Sequence, residues 1–224
     1  MKAFLSKSEG TKERIIAAAG EVFAERGFRA TTIRQITARA EVNVAAVHYH
    51  FRDKGDLYTR VLREAKKHLG LIVIQEIPGD SEEKLLGFIS RFVHYILDPK
   101  RPLWHGRVLA LALSNPTPAL GVVLREVTAP VYQDVRALIG EVVEGTASDT
   151  DLDLLTISIF GQCVFYVSGR PVVEQLAMDL GRQPDRTERI AAHVGKFSLA
   201  ALRAFHQARS EQPRCSRAAS LVSS

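Results

Sequence analysis

Two cysteines in 224 residues, Cys163 and Cys215, are too few and too far apart for a disulfide framework, and neither belongs to a cluster with metal-ligand spacing. Two reduced thiols of a cytoplasmic chain are the expectation. No apolar run approaches the ~18 residues a membrane-spanning helix needs. The opening stretch "MKAFLSKSEGTKER" lacks a sustained hydrophobic segment, so neither a secretory signal nor a membrane partner is expected. Strand-like alternation is scarce, which excludes a sheet as the framework. There is no Gly-Xaa-Ser-Xaa-Gly, no glycine loop to cradle a phosphate, and no His/Cys cluster, so no enzyme, cofactor or metal site is expected.

What is present is apolar and helical. Hydrophobic residues make up 46% of the chain, enough for a packed core, and the net charge is +5. The charge is unevenly placed. Residues 1–67 carry fourteen Lys and Arg against eight Asp and Glu, a net of +6; the rest carries sixteen against seventeen, a net of −1. A basic first third joined to a near-neutral remainder fits a polyanion-binding module followed by a second unit.

Periodicity predicts helices throughout. After a flexible leader at 1–10, Thr11 starts a helix striped by Ile15, Ala18, Ala19, Val22 and Phe23, and Gly27 ends it. Thr32 and Gln35 have the capping-box spacing. Asn43 caps a third helix with Val47 and Phe51 inside; Asp53 caps a fourth, expected from Lys54 to about Ile74. Two short helices joined by a tight turn make a helix-turn-helix. Longer helices follow at about 82–98, 102–114, 118–144 with a kink at Pro130, 149–168, and 185–207, with a short segment from Pro171 to Leu180. The polar tail at 209–224 is expected to be disordered. The fold class is therefore all-α: a helix-turn-helix unit at 11–67, then a helical unit at 68–208.

The informative stretch is Val42–Tyr58, "VNVAAVHYHFRDKGDLY". Val44, Ala45 and Ala46 are small enough to let a backbone approach base edges in a major groove, and their methyls can meet thymine methyls. His48 lies three residues past Ala45 and shares its face. Tyr49 and His50 bring ring hydrogen-bonders to the sugar-phosphate wall. Lys54 opens the next helix, where backbone N–H groups and the dipole already favour a phosphate. On these residues alone a second reading stands beside DNA recognition: a polar surface on an ordinary helical hairpin.

"TKERIIAAAGEVFAERGFRATTIRQITARAEVNVAAVHYHFRDKGDLY" resembles the DNA-binding domain of the TetR family of bacterial regulators, nearly gap-free over residues 11–60. The resemblance implies that Thr32 and Arg34 reach phosphates or a base edge. It implies that Val44, Ala45, Ala46 and His48 face the groove, that Tyr49, His50 and Lys54 grip phosphates, and that Asn43 belongs to the same DNA-binding surface. Two positions depart: Glu41 stands where the family usually has Gly, and His48 replaces the usual Tyr. "SNPTPAL" (Ser114–Leu120) and "CVFYVSGRPVVEQL" (Cys163–Leu176) resemble the YbiH/CecR-like branch, although Leu111-Ala112 occupies the place of its common Arg-Glu pair.

The resemblance makes residues 68–208 a unit that binds a small-molecule effector and forms a homodimer. The helix at 149–168 is apolar on most sides, with Leu152, Leu155, Ile159, Cys163 and Tyr166 on one and Leu154, Ile157, Gly161 and Phe165 on another. Such a helix needs cover beyond its own neighbours, and pairing with 185–207 (Ile190, Val194, Phe197, Leu202, Phe205) across a two-fold axis would supply it. Polar groups among apolar ones mark an effector pocket: His94, Tyr95, Trp104, His105, Arg107, Gln162 and Tyr166. The implied function is a cytoplasmic, nucleoid-associated regulator, most often a repressor, on a palindromic double-stranded operator. An activator, or an architectural or division-control DNA binder without an effector, shares these residues.

Overall fold

The computed structural model describes residues 2–67, 69 and 72–211, with the backbone only for 2–8 and 181. Twelve α-helices and no strand are found among them. The first four are α1 (Lys2–Ala30), α2 (Ile33–Ala40), α3 (Val44–His50) and α4 (Lys54–Lys66). Next come α5 (Ser81–Leu97), α6 (Leu103–Ser114), α7 (Pro118–Val123) and α8 (Ala129–Val142). The last four are α9 (Asp149–Ser168), α10 (Arg170–Leu176), α11 (Met178–Arg182) and α12 (Arg186–Glu211).

Local chemistry accounts for most boundaries. Thr32 and Gln35 form the reciprocal capping box of α2: the Gln35 N–H donates to Thr32 Oγ1 at 3.3 Å and the Thr32 N–H to Gln35 Oε1 at 2.9 Å. Asn43 Oδ1 accepts from the Ala46 N–H at 2.8 Å, and Asp53 Oδ1 from the Asp56 N–H at 2.8 Å. Gly27, at φ +76° and ψ 168°, breaks the helical path near the end of α1, as a residue without a Cβ can.

Several expected limits move. The helical backbone begins at Lys2, inside the expected flexible leader, rather than at Thr11. The fourth helix ends at Lys66 instead of running to Ile74. Leu69, Ile74 and Ile77 follow it into the core at 6%, 5% and 4% exposure. The last helix runs to Glu211, past the expected Gln207, so 209–211 are helical; the remainder of the expected disordered tail, and Cys215, lie outside the described residues. The chain stays helical from Pro118 to Val142 through Pro130, with a wide π-type turn at Leu124–Thr128 ahead of α8, where proline donates no bond to the turn behind it.

α9 corrects a further expectation. At 20 residues with a mean hydropathy of 1.2 in its most apolar window, it is long and apolar enough to cross a bilayer by length and composition alone. Its first turns are nevertheless charged and bonded to α8: Asp153 Oδ1 accepts from Tyr132 Oη and Arg136 Nε, both at 2.8 Å.

The core has two parts. In the first, Ile15, Phe23, Ile36, Val47, Phe51 and Leu57 close the headpiece α1–α4, with Phe23, Phe28 and Tyr58 in edge and tilted ring contacts at 4.8–6.1 Å. That cluster continues into α6 and α7 through Trp104, Val108, Leu120 and Val123, so the headpiece shares its core with the rest of the chain. The second joins α5, α8, α9 and α12 around Phe88, Ile89, Ile139, Ile159 and Val194. Each fully buried side chain of this size stabilises by about 1.5–3 kcal/mol.

Glu41 ends α2 at φ 52° and ψ 47°, in the left-handed region where a Cβ costs about 1–2 kcal/mol. Set against the greater entropy glycine loses on folding, Glu41→Gly is expected to stabilise the protein by about 0.5–1 kcal/mol. The measurement is urea unfolding: a higher midpoint with an unchanged slope agrees, and a lower midpoint shows that the Glu41 side chain contributes more than its backbone costs.

Candidate nucleic-acid interface and effector cavity

α3 rests on the headpiece through Val47 and Phe51, 1% and 2% exposed, and turns its other side outward. Val44 is 42% exposed and Tyr49 78%; Ala45 and His48 are exposed beside them. These side chains form a protruding ridge of small residues followed by ring donors, with no acidic residue within α3. Thr32 and Arg34 are exposed on α2 next to it, and Asn43 is exposed at the start of α3. His50 is half-buried, its ring 4.9 Å from that of Tyr49.

Two of the predicted contact residues are placed otherwise. Ala46 is half-buried and packs against the headpiece core, because a helix facing a groove on one side must fill its own core with the other. Lys54 turns back into the protein. Its ammonium donates to the carbonyls of Phe28 (3.0 Å) and Thr31 (2.8 Å) and lies 4.6 Å from the centre of the Phe28 ring. The end of α1 leaves the Phe28 carbonyl without a helical partner, the α1–α2 connection adds that of Thr31, and a lysine at the N-terminus of α4 reaches both. Lys54 thus joins three helices of the headpiece. Arg39, another cation of the basic first third, is held by Glu21 at 2.8 Å and Glu25 at 3.2 Å, which keep its charge within the protein surface.

The seven predicted pocket residues do not converge. A cavity of about 350 Å³ lies between the two core clusters, enclosed by the end of α4 and by α5, α6, α7 and α9. Tyr95 alone of the seven lines it. Trp104, 8% exposed, packs in the headpiece core over Gly20. His94 is on the outer face, where Nδ1 donates to the Ser90 carbonyl at 2.8 Å. His105 Nδ1 accepts from Arg101 Nε at 3.2 Å. Arg107 is exposed, Gln162 Nε2 donates to Ser158 O at 3.4 Å along its own helix, and Tyr166 lines a neighbouring cleft.

Sequence reasoning misses the cavity's two cations. Lys66, half-buried in the last turn of α4, donates from Nζ to Thr128 Oγ1 at 2.7 Å. Burial, then the nearby charge of Arg101, push its ammonium down to about 8. The folded value lies below the ordinary 10.5, so the penalty on stability is full below pH 8 and is relieved as pH rises toward 10.5. Arg101 donates from its guanidinium to the Ala65 carbonyl and to Tyr95 Oη, the latter at 2.9 Å, and lies 4.2 Å from the Tyr95 ring centre. Tyr95 Oη itself donates to Ala65 O at 3.1 Å. One carbonyl at the end of α4 thus holds two groups of the cavity wall. One turn back, Arg63 grips Glu126 through Nε at 2.7 Å and a terminal nitrogen at 2.8 Å. Among motifs in the sequence, only the placement of Lys66 one turn past Leu62 hints at this. Cys163 is buried, its thiol pushed up to about 12 by desolvation, so it is inert at neutral pH.

Known proteins share both parts. Residues 15–61 match the model of the bacterial regulatory proteins of the tetR family, and residues 81–205 match that of the C-terminal domain of the HTH-type transcriptional dual regulator CecR. CecR of Shigella flexneri is 26% identical over 183 residues, 76% of this chain and 82% of its own. The transcriptional repressor Rv3405c of Mycobacterium tuberculosis is 38% identical over 104 residues, 46% of this chain and 47% of its own. A solved transcriptional regulator from Pseudomonas aeruginosa superposes with a TM-score of 0.68 at 18% identity, over 89% of this chain and 94% of the other, and shares the fold. With a headpiece that presents α3 and a C-terminal match across more than half of its length, this chain is a DNA-binding transcriptional regulator of the TetR family, carrying the CecR type of C-terminal domain.

Proposed function

We propose that the protein is a homodimeric repressor that leaves a roughly palindromic operator when a small molecule enters the cavity beside α4. The observation that carries this reading is the outward ridge of α3, Val44 through Tyr49, on a headpiece whose core continues into the cavity-bearing helices. Val44, Ala45 and His48 meet base edges. Tyr49 and His50 contact phosphates, and Thr32, Arg34 and Asn43 reach the backbone beside them. Lys54 contributes by holding the headpiece together. Residues 11–67 act as the DNA-binding unit and 68–208 as the effector-binding and dimerisation unit. Such a regulator works in the cytoplasm beside the chromosome, and no catalytic step belongs to this reading.

A two-fold partner is supported by what α9 and α12 leave uncovered. Leu154, Ile157 and Phe165 on α9 are 61%, 59% and 53% exposed, and Phe197 on α12 is 58% exposed. Gly161 among them has no neighbour near the position a Cβ would take, which lets another helix come close. Of the α12 residues expected at this face, Ile190, Val194 and Leu202 are instead buried in the protomer's own core. A four-helix bundle of two α9 and two α12 would cover the rest.

Because Tyr49 and His48 lie outside the core, replacing them tests recognition without disturbing the fold. On a duplex enriched from a random library, Tyr49→Ala is expected to weaken binding to all sequences alike and to lower the salt dependence by about one counterion. His48→Ala is expected to change the preferred base at one position by about 1–3 kcal/mol. Unchanged salt dependence in the first, or a uniform loss across sequences in the second, overturns the assigned role.

A further inference from the structure

We infer that the cavity at the end of α4 takes an amphipathic anion, with its charged headgroup between Lys66 and Arg101 and its apolar body among the side chains of α5, α6 and α9. This rests on the reading of the chain as a ligand-released regulator and names the chemistry of the ligand.

Three observations converge. The cavity, about 350 Å³, is of the size that encloses small ligands, and Phe92, Ile96, Leu109, Leu113, Val164 and Val167 make most of its wall apolar. Its two formal charges, Lys66 and Arg101, are both positive and close enough to repel one another. Among the described residues no carboxylate forms an ion pair with either: Glu126 and Glu64 are taken by Arg63 and Lys67, and Asp98 attracts Arg101 only at longer range. Cations in an apolar cavity are held there at a cost unless an anion joins them. A neutral apolar ligand would leave that cost in place, and a cationic one would raise it.

The same geometry supplies a route to the DNA. Arg101 reaches the Ala65 carbonyl, so it caps the C-terminal end of α4. A carboxylate or phosphate is a stronger acceptor for a guanidinium than a neutral carbonyl. Its arrival draws Arg101 off Ala65 and Lys66 off Thr128, loosening the end of the helix whose first residue, Lys54, holds α1 and α2. Headgroup binding and DNA binding then oppose one another, each weakening the other by the same factor.

The test is calorimetric titration of the full chain with decanoate, decyl phosphate and the uncharged decanol, repeated with a duplex enriched from a random library. Decanoate is expected to bind at least tenfold more tightly than decanol and to weaken duplex binding at least fivefold. Decyl phosphate binding more tightly still assigns the headgroup as a phosphate; the reverse order assigns a carboxylate. Lys66→Met is expected to remove most of the advantage of decanoate over decanol while the variant melts cooperatively and still binds decanol. Decanol binding as well as decanoate, no decanoate binding at millimolar concentration, or full decanoate affinity in Lys66→Met each overturns the inference. Decanoate binding that leaves duplex affinity unchanged overturns the route through Ala65. Failure to enrich any duplex counts against the regulator reading, not this one, because titration without DNA reads the cavity directly.

Discussion

Trp104→Ala is expected to destabilise the protein by about 3–5 kcal/mol, the range for removing a large buried aromatic residue from a packed core. The indole is 8% exposed and belongs to the cluster that unites α1–α4 with α6 and α7. It fits there because residue 20 has no side chain: a Cβ on Gly20 would come within 2.5 Å of the ring. Gly20→Ala therefore strains the same contact from the other side and is expected to cost about 1–3 kcal/mol. Both variants separate α1 from α6, so both are expected to lose DNA affinity along with stability, and neither is expected to do so by changing a DNA contact. Urea unfolding and duplex binding at constant salt check this. A Trp104→Ala protein of wild-type stability would place the indole at the surface or in a ligand pocket.

Lys54→Met is expected to cost about 2–3 kcal/mol, because two charge-assisted bonds to Phe28 O and Thr31 O are lost and those carbonyls remain half-buried. The more discriminating quantity is the salt dependence of DNA binding. A lysine that neutralises a phosphate contributes about one counterion to the slope; one that holds an α1–α2 junction contributes none. Under conditions where the variant is folded, the slope is expected to match wild type. A shallower slope with little loss of stability returns Lys54 to the phosphate backbone.

The contrast between these two positions shows what a sequence conveys. Caps are local: Thr32, Asn43 and Asp53 act on N–H groups three residues on, and the bonds are where the spacing places them. The buried stripe of α1 and the ridge of α3 follow from periodicity, and they deliver the headpiece. Burial of a polar side chain is a tertiary property. Trp104, His94 and Gln162 read alike as polar groups among apolar ones, yet one fills a core, one faces solvent and one bonds along its own helix. Lys66 and Arg101 look like ordinary surface cations in the sequence. The packing of α4 against α6 and α7 brings them to one cavity, 35 positions apart. The end of α4 was hidden for a similar reason, since the anchors that turn the chain inward, Leu69, Ile74 and Ile77, are met only in the folded protein.

All of this depends on α3 entering the major groove from each of two protomers. Selection of duplexes from a random pool by the full chain, at moderate ionic strength and with no effector present, tests it most directly. The predicted result is enrichment of one inverted repeat, its half-sites separated by about one helical turn or a multiple of it. Recovery of unselected sequence, with no duplex preferred over random competitor, would contradict it.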